Sequence, residues 1–354
     1  MYYAELNVPK NHVYLFKPHG KNYSKTPPLP QTPESQNMIY WAQHIKGVSM
    51  KKTVLMSCAL AAAATFGGPG RVFPQVKPAD EAKLVQLVAD WPAAPAAKPR
   101  KILVCNYLRG CEWHGPSVSY GTRLFALASV KGGYTVDFTD IRQLAIKGLL
   151  DGYDAVVLNN TTNFQEAEAP GVSENLLDYV SKGGGLLLVH SAVDAFNDSP
   201  TVQEMNGGLF WAHPWTAGGG DWCFRNEEPD HPLMASFKSL PPIFHLGDEI
   251  YMHPTPPFDR SKVRVLISLC LDDANTAAAM KKFIKKRGED KVRADRDFAV
   301  SWCRRWGKGR VFYTTYAHDT RAWLDPARLY HILGGLQYAT GDVKVDDSPR
   351  NDRK

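Results

Sequence analysis

Cysteine is scarce in this chain: six copies in 354 residues. Cys58 sits in an apolar N-terminal run, which leaves five, at positions 105, 111, 223, 270 and 303. An odd number rules out a complete disulfide framework, although Cys105 and Cys111 are spaced to pair across a loop. The others read as buried small hydrophobes. Further absences narrow the field. No serine has the flanking glycines of a G-x-S-x-G elbow, which excludes the usual α/β-hydrolase nucleophile. No local metal-ligand spacing occurs, and no segment repeats. The longest apolar stretch is too short to cross a bilayer comfortably.

Net charge is nearly missing as well, despite a formal +6. Residues 1–49 hold five lysines and two glutamates, and Lys51 and Lys52 add two more positives. The rest of the chain carries 35 basic and 34 acidic residues. Such a balance calls for neither nucleic acid nor an anionic membrane as partner.

The segment "MKKTVLMSCALAAAATFGGPG" from Met50 has two lysines followed by a short, small-residue apolar run. That is the layout of a secretory signal peptide, with Cys58 as an ordinary residue of the apolar region. We therefore expect residues 1–49, polar and Pro-rich, to be a non-native extension or disordered tail, and residues 50–70 to be the signal. The mature protein would be periplasmic or extracellular if translation starts at Met50, in an oxidising setting.

Residues 79–91 predict a short amphipathic helix, and "PAAPAAKPRK" a stiff linker closing a 71–100 lead-in. From Lys101 the chain alternates. "KILVCN" reads as a buried strand, Ser117 to Val130 as a helix stopped by Gly132-Gly133, and "YTVDFT" and "DAVVLNN" as strands. Ser173 is the expected cap of a helix with Leu176, Leu177 and Val180 on one face, ended by Gly183 to Gly185 and followed by "LLLVH". This rhythm predicts an open, mostly parallel α/β sheet with helices on both faces. From Trp222 onward, "WCFRNEEPDHPLMASF", "IFHLGDEIY", "VRVLISLCL" and "FAVSWCRRWGKGRVFYTTY" read as strands extending that sheet in antiparallel fashion. The charged run within 272–297 reads as a solvated insertion. A helix opening on Pro326 closes the domain, which is expected to span 101–342 ahead of a polar tail, 343–354.

In such sheets ligands bind beyond the carboxyl ends of the strands. The polar residues expected there are His114, then His190, Ser191 and Asp194, then His213, Asp248 and Glu249, and last His318. His190 can act in proton transfer, or simply cap its strand. Asp194 can share its side of a turn, or be an acid favoured by a helix N-terminus. Trp211, Trp215 and Trp222 surround a Gly-rich loop, which suits stacking on a sugar face and equally suits a core. His231 in "DHP" reads as a turn residue, His245 as solvent-facing and His331 as packing within a helix.

The ordered set "KILVCNYLRGCEWHGPS", "YDAVVLNNTT", "YVSKGGGLLLVHSAVD", "DHPL", "GDEIY" and "WCRRWGKGRVFYTTYAHD" resembles the ThuA-like, or trehalose-utilisation, family over roughly residues 100–342. The resemblance implies a fold similar to class I glutamine amidotransferases, an open flavodoxin-like α/β sheet. In those enzymes the strand matching "LLLVH" leads to a nucleophilic cysteine; here it leads to His190-Ser191, so amidotransferase chemistry is not implied. The family is associated with trehalose and related disaccharides, plausibly through 3-keto-sugars. Two departures stand out. The family's common Gly-His after its last strand is Ala317-His318 here, and the insertion before Asp297 is long.

The reading that follows is acid–base chemistry on a sugar or 3-keto-glycoside. His190 is the base, His318 or His114 its partner, and Asp194 or Asp248 the orienting carboxylate. Ser191, His213, Trp215, Asp248 and Glu249 would contact substrate. A zinc variant, with three imidazoles and a carboxylate as ligands, stays open, as does a non-catalytic carbohydrate-binding module.

Overall fold

Unbroken β-rich runs make the centre of this protein. The computed structural model describes residues 74–350, so the expected extension (1–49) and export signal (50–70) lie outside the described residues. In chain order the elements are α1 (Pro78–Asp90), β1 (Arg100–Asn106), α2 (Gly115–Gly132), β2 (Tyr134–Asp140), β3 (Ala155–Asn159), α3 (Val172–Lys182), β4 (Gly185–Val189) and α4 (Pro200–Asn206). The second half adds β5 (Ala212–Trp215), β6 (Trp222–Asn226), β7 (Ile243–Leu246), β8 (Ile250–Met252), β9 (Arg264–Leu269) and α5 (Ala274–Arg287). It ends with β10 (Ala299–Trp306), β11 (Gly309–Thr314), α6 (Thr320–Trp323) and α7 (Pro326–Thr340).

Nine strands form one sheet in the order β2-β1-β3-β4-β11-β10-β9-β6-β7. The first five are parallel. From β11 through β7 each neighbouring pair is antiparallel. The expected parallel sheet with an antiparallel extension is therefore present. Strand alternation sends Ile102, Val104, Val157, Leu187, Val189 and Phe312 to one face, packed with α1, α2 and α7. Leu103, Cys105, Val156, Leu158, Leu186, Leu188 and Tyr313 go to the other, packed with α3 and α4. Two apolar faces explain why β1, β3 and β4 read as continuous hydrophobic runs rather than alternating ones.

Four details differ from expectation. Ser173 does not cap α3: that helix starts at Val172, and Glu166 accepts the amides of Gly171 and Ser173 at 2.5 and 3.0 Å. "IFHLGDEIY" is two strands, because Gly247-Asp248-Glu249 turn out of the main sheet and β8 pairs with β5 in a separate ribbon. The Pro/Ala stretch is a docked strap rather than a spacer. Ala94 exchanges hydrogen bonds with the Gln337 side chain, and Ala97 donates to Asp342. Cys105 and Cys111 both carry free thiols, the first sealed in the core. The charged insertion, by contrast, is the solvated helix α5, with Thr276 and Met280 inward and its lysines exposed.

The glycine cluster before β4 has a steric reason. Gly183 ends α3 at φ +127°, a backbone shape that L side chains rarely adopt. A Cβ at Gly185 would lie 2.2 Å from the Ala339 carbonyl oxygen, so β4 and α7 pack backbone against backbone there. Relief requires moving α7, which costs about 1–3 kcal/mol. Gly185→Ala should lower the urea-unfolding midpoint by a corresponding amount; a variant as stable as the parent would show that the helix yields freely.

Candidate functional site

The carboxyl ends of β1, β3, β4 and β11 are adjacent in the sheet, so the loops that follow them converge. After β1 a single 3-10 turn, Glu112–His114, sets His114 at the start of α2. After β3 comes Asn160, after β4 His190, and after β11 the segment Thr315–His318. Asn160, His190 and Ala317 adopt φ of +53°, +49° and +82°. Left-handed backbone at non-glycine residues costs of order 1–3 kcal/mol each and persists where surrounding structure enforces it. At His190 it makes a sharp turn at the end of β4 that projects the imidazole. At Ala317 it gives a physical reason for a glycine at that place.

Three imidazoles meet there. The ring centres of His114, His190 and His318 lie 5.1–5.2 Å apart in every pairing, near-perpendicular to one another. The Glu249 carboxylate, delivered by the turn before β8, approaches from the opposite side. Its Oε1 is 3.8 Å from His190 Nε2 and 3.7 Å from His318 Nε2, and its Oε2 is 3.3 Å from His213 Nδ1 on β5. One ligand-type atom from each of His114, His190, Glu249 and His318 lies within 4.8 Å of all the others. These four can hold a metal ion.

Outer groups fix the rings. His190 Nδ1 lies 2.6 Å from the Thr315 carbonyl, so this nitrogen carries the proton and Nε2 turns its lone pair to the pocket. His114 Nδ1 is 3.5 Å from Thr162 Oγ1, which sits 2.9 Å from Ser191 Oγ. The Nε2 atoms of His114 and His190 are buried with no hydrogen-bond partner. Burial, then the neighbouring imidazoles, holds His114 down to about 3 and His190 well below its ordinary value. Burial also lowers His318 and His213. Burial and the adjacent Asp248 push Glu249 up to about 8. Near neutral pH the pocket thus holds neutral imidazoles around a protonated carboxyl, and the His–Glu approaches are not ion pairs. Such a set can accept and donate protons without first paying for a buried charge.

The rim is aromatic. Trp113 is 64% exposed beside His114, and half-exposed His213 stacks against Phe210. An open cavity lies elsewhere, at the amino ends of the strands among Arg100, Asp154, Lys182 and Arg310. Open α/β sheets bind ligands at the other end, and no imidazole lines that cavity. Among the described residues no helix is long and apolar enough to cross a membrane.

A family model described as trehalose utilisation (ThuA) matches residues 101–339. Among solved structures, a ThuA-like protein from Bacteroides uniformis is similar at 22% identity and a TM-score of 0.52, covering 70% of this chain and 95% of its own. A ThuA-like protein from Parabacteroides merdae covers 72% and 98% at 17% identity, with a TM-score of 0.47. At these identities the likeness bears on the fold alone. No curated protein matches the chain significantly.

Of the residues expected at the site, His114, His190, His318, His213 and Glu249 come together. Ser191 stands behind them, holding Thr162. Asp194 is buried but outside the cluster: its carboxylate meets Asn197, and burial pushes it up to about 6. Trp215 is not at the pocket. It is sealed in the core, donating to the Thr276 carbonyl and packing on Phe298. Trp222 is buried too, and its indole N–H holds the Asp248 carbonyl. His231 and His331 are structural, bonded to backbone carbonyls, and His245 is half-exposed on β7. Sequence reasoning missed the centrality of Glu249, the exposed Trp113 and the ring of Tyr251 packed 4.5 Å from His190. Trp113 had a legible signal, its place beside His114.

Asp248 faces inward rather than toward a ligand. Fully buried, it accepts the amides of Ala317, His318 and Glu249 at 2.8, 3.2 and 2.9 Å, with Arg328 at 3.7 Å. It is a positioning residue. Asp248→Ala strands three buried amides, while Arg328 keeps the Gly247 carbonyl at 2.8 Å and Asp325 at 3.3 Å, so the loss should be about 3–5 kcal/mol, from the amides. Chemical denaturation checks this, and a loss below 1 kcal/mol would mean that the loops are held by something else.

Proposed function

Because the chain belongs to the ThuA, or trehalose-utilisation, family, we propose that it performs acid–base chemistry on a sugar or 3-keto-glycoside in the imidazole pocket, as an exported protein and without a thiol nucleophile. The observation that carries the reading is the meeting of three buried or half-buried imidazoles and the Glu249 carboxyl group at the carboxyl end of the sheet. A ketone at C3 acidifies the neighbouring C–H. Elimination, hydration or isomerisation then needs a base, an acid and a group to meet the developing oxyanion. His190, with its proton fixed on Nδ1, offers a lone pair at Nε2. Glu249 Oε1 lies 3.8 Å from His190 Nε2 and 3.7 Å from His318 Nε2, so a substrate seated among the three groups can meet a base and a proton donor at once. Exposed Trp113 offers a flat apolar surface to a sugar face at the mouth. The export half of the reading rests on the signal-like segment from Met50.

His190→Gln should leave folding and sugar affinity nearly intact while lowering turnover about 10²–10⁴-fold. NMR of the mature protein with glucose, trehalose and 3-keto-glucosides, following deuterium exchange at C2 and new products, reads this out. His331→Gln, inside α7, should turn over normally in whatever fraction folds. Exchange that persists in the His190 variant would remove that residue from the chemistry. Binding without exchange or product across the panel would make the pocket a non-catalytic carbohydrate site.

A further inference from the structure

The polar arrangement in the pocket leaves a chemical question open. Two buried imidazole nitrogens, His114 Nε2 and His190 Nε2, have no hydrogen-bond partner, and a buried polar atom stranded in this way is destabilising unless a ligand satisfies it. The nearest carboxylate oxygen, Glu249 Oε1, is 3.8 Å from His190 and 3.7 Å from His318, beyond hydrogen-bond reach. Donors that share a metal ion at bond lengths near 2.0–2.2 Å stand roughly 3–4 Å from one another. The separations to Glu249 fall in that range, and the widest spacing in the set, within 4.8 Å, needs a contraction of about 1 Å.

We propose that His114, His190, His318 and Glu249 bind one divalent first-row transition-metal ion of the zinc class. Three neutral nitrogens and one carboxylate oxygen suit such an ion, whereas magnesium and calcium prefer all-oxygen shells. The outer groups are those a metal-bound histidine uses. His190 donates its remote N–H to the Thr315 carbonyl, and His114 is steadied through Thr162 and Ser191. The four donors come from four separate segments: the turn before α2, the end of β4, the turn before β8 and the loop after β11. No local sequence spacing reveals them for that reason. Half-exposed His213 lies 3.3 Å from Glu249 at the edge of the group. A bound ion would supply an electrophile for a substrate oxygen or water. Its four donors are then fixed in place, and His213 is the pocket imidazole left free to move a proton.

The metal site uses the same pocket as the proposed acid–base reading but recasts His190, His318 and Glu249 as ligands, and one preparation tells the two apart. The mature protein, made without a polyhistidine tag, is stripped with chelator and titrated calorimetrically with Zn(II), Co(II), Mn(II), Ni(II) and Fe(II), with circular dichroism confirming the fold. One equivalent of at least one of these ions should bind saturably, with magnesium and calcium failing to compete. His190→Gln and Glu249→Gln should each weaken binding at least about 10-fold, while His245→Gln, on an exposed edge, leaves it unchanged. Cobalt should add visible absorption bands that the His190 variant loses. Metal bound without turnover upholds this site and removes the catalytic reading. Turnover by folded, metal-free protein that binds none of the five ions overturns the site and leaves metal-free acid–base chemistry. Metal binding unaffected by both pocket variants overturns it as well.

Discussion

The Asp248 carboxylate, sealed from water, accepts the backbone amides of Ala317, His318 and Glu249 at once. That joint ties the loop leaving β11 to the turn entering β8, two segments about seventy residues apart in sequence. Together with the bond from the Tyr251 amide to Thr315 Oγ1, it holds the Glu249 carboxyl group beside the strand-end imidazoles. Its cost is a carboxylate in the protein interior, offset by three amide hydrogen bonds and by Arg328 at 3.7 Å. A buried charge satisfied in this way specifies one geometry, because no other arrangement of the two loops meets its hydrogen-bonding needs.

The rest of the pocket follows from topology. β3, β4 and β11 are parallel neighbours, so the residues just past their ends occupy one small region whatever their separation along the chain. This is why His190 could be placed from the sequence: it directly follows an apolar run that reads as a buried parallel strand. His318 lies four residues past β11, a strand read as part of the antiparallel extension that in fact also runs parallel to β4. His114 was legible for a similar reason, lying between a strand and a helix start. Glu249 was seen as a polar residue near the site but not as its centre. "IFHLGDEIY" has the alternation of one strand, and only the tertiary course shows that Gly247-Asp248-Glu249 break it. Asp194 misled because spacing of four suggests a shared helical face, whereas the turn after β4 is a single 3-10 turn. Trp215 misled because aromatic residues near glycines are equally common in cores and at binding rims, and burial, which periodicity does not reveal in a loop, decides between them.

The positive φ at His190 turns the chain sharply at the end of β4 and displays an imidazole at the sheet edge. Cys105 and Cys303, fully buried, are held far above the ordinary thiol range and cannot supply thiolate. Acid–base or metal-assisted chemistry is what the imidazoles and carboxyl group of the pocket can do.

The central claim is that small molecules act at the strand-end imidazoles and nowhere else on the described surface. Nitrogen-15 NMR of histidine side chains during titration with sugars and 3-keto-sugars tests it directly, because the chain's own imidazoles are the reporters. The account predicts that His114, His190, His213 and His318 shift together and saturably, while His231, His245 and His331 stay still. Ligand binding that leaves the first four unmoved, or moves His231 or His245 instead, would contradict it.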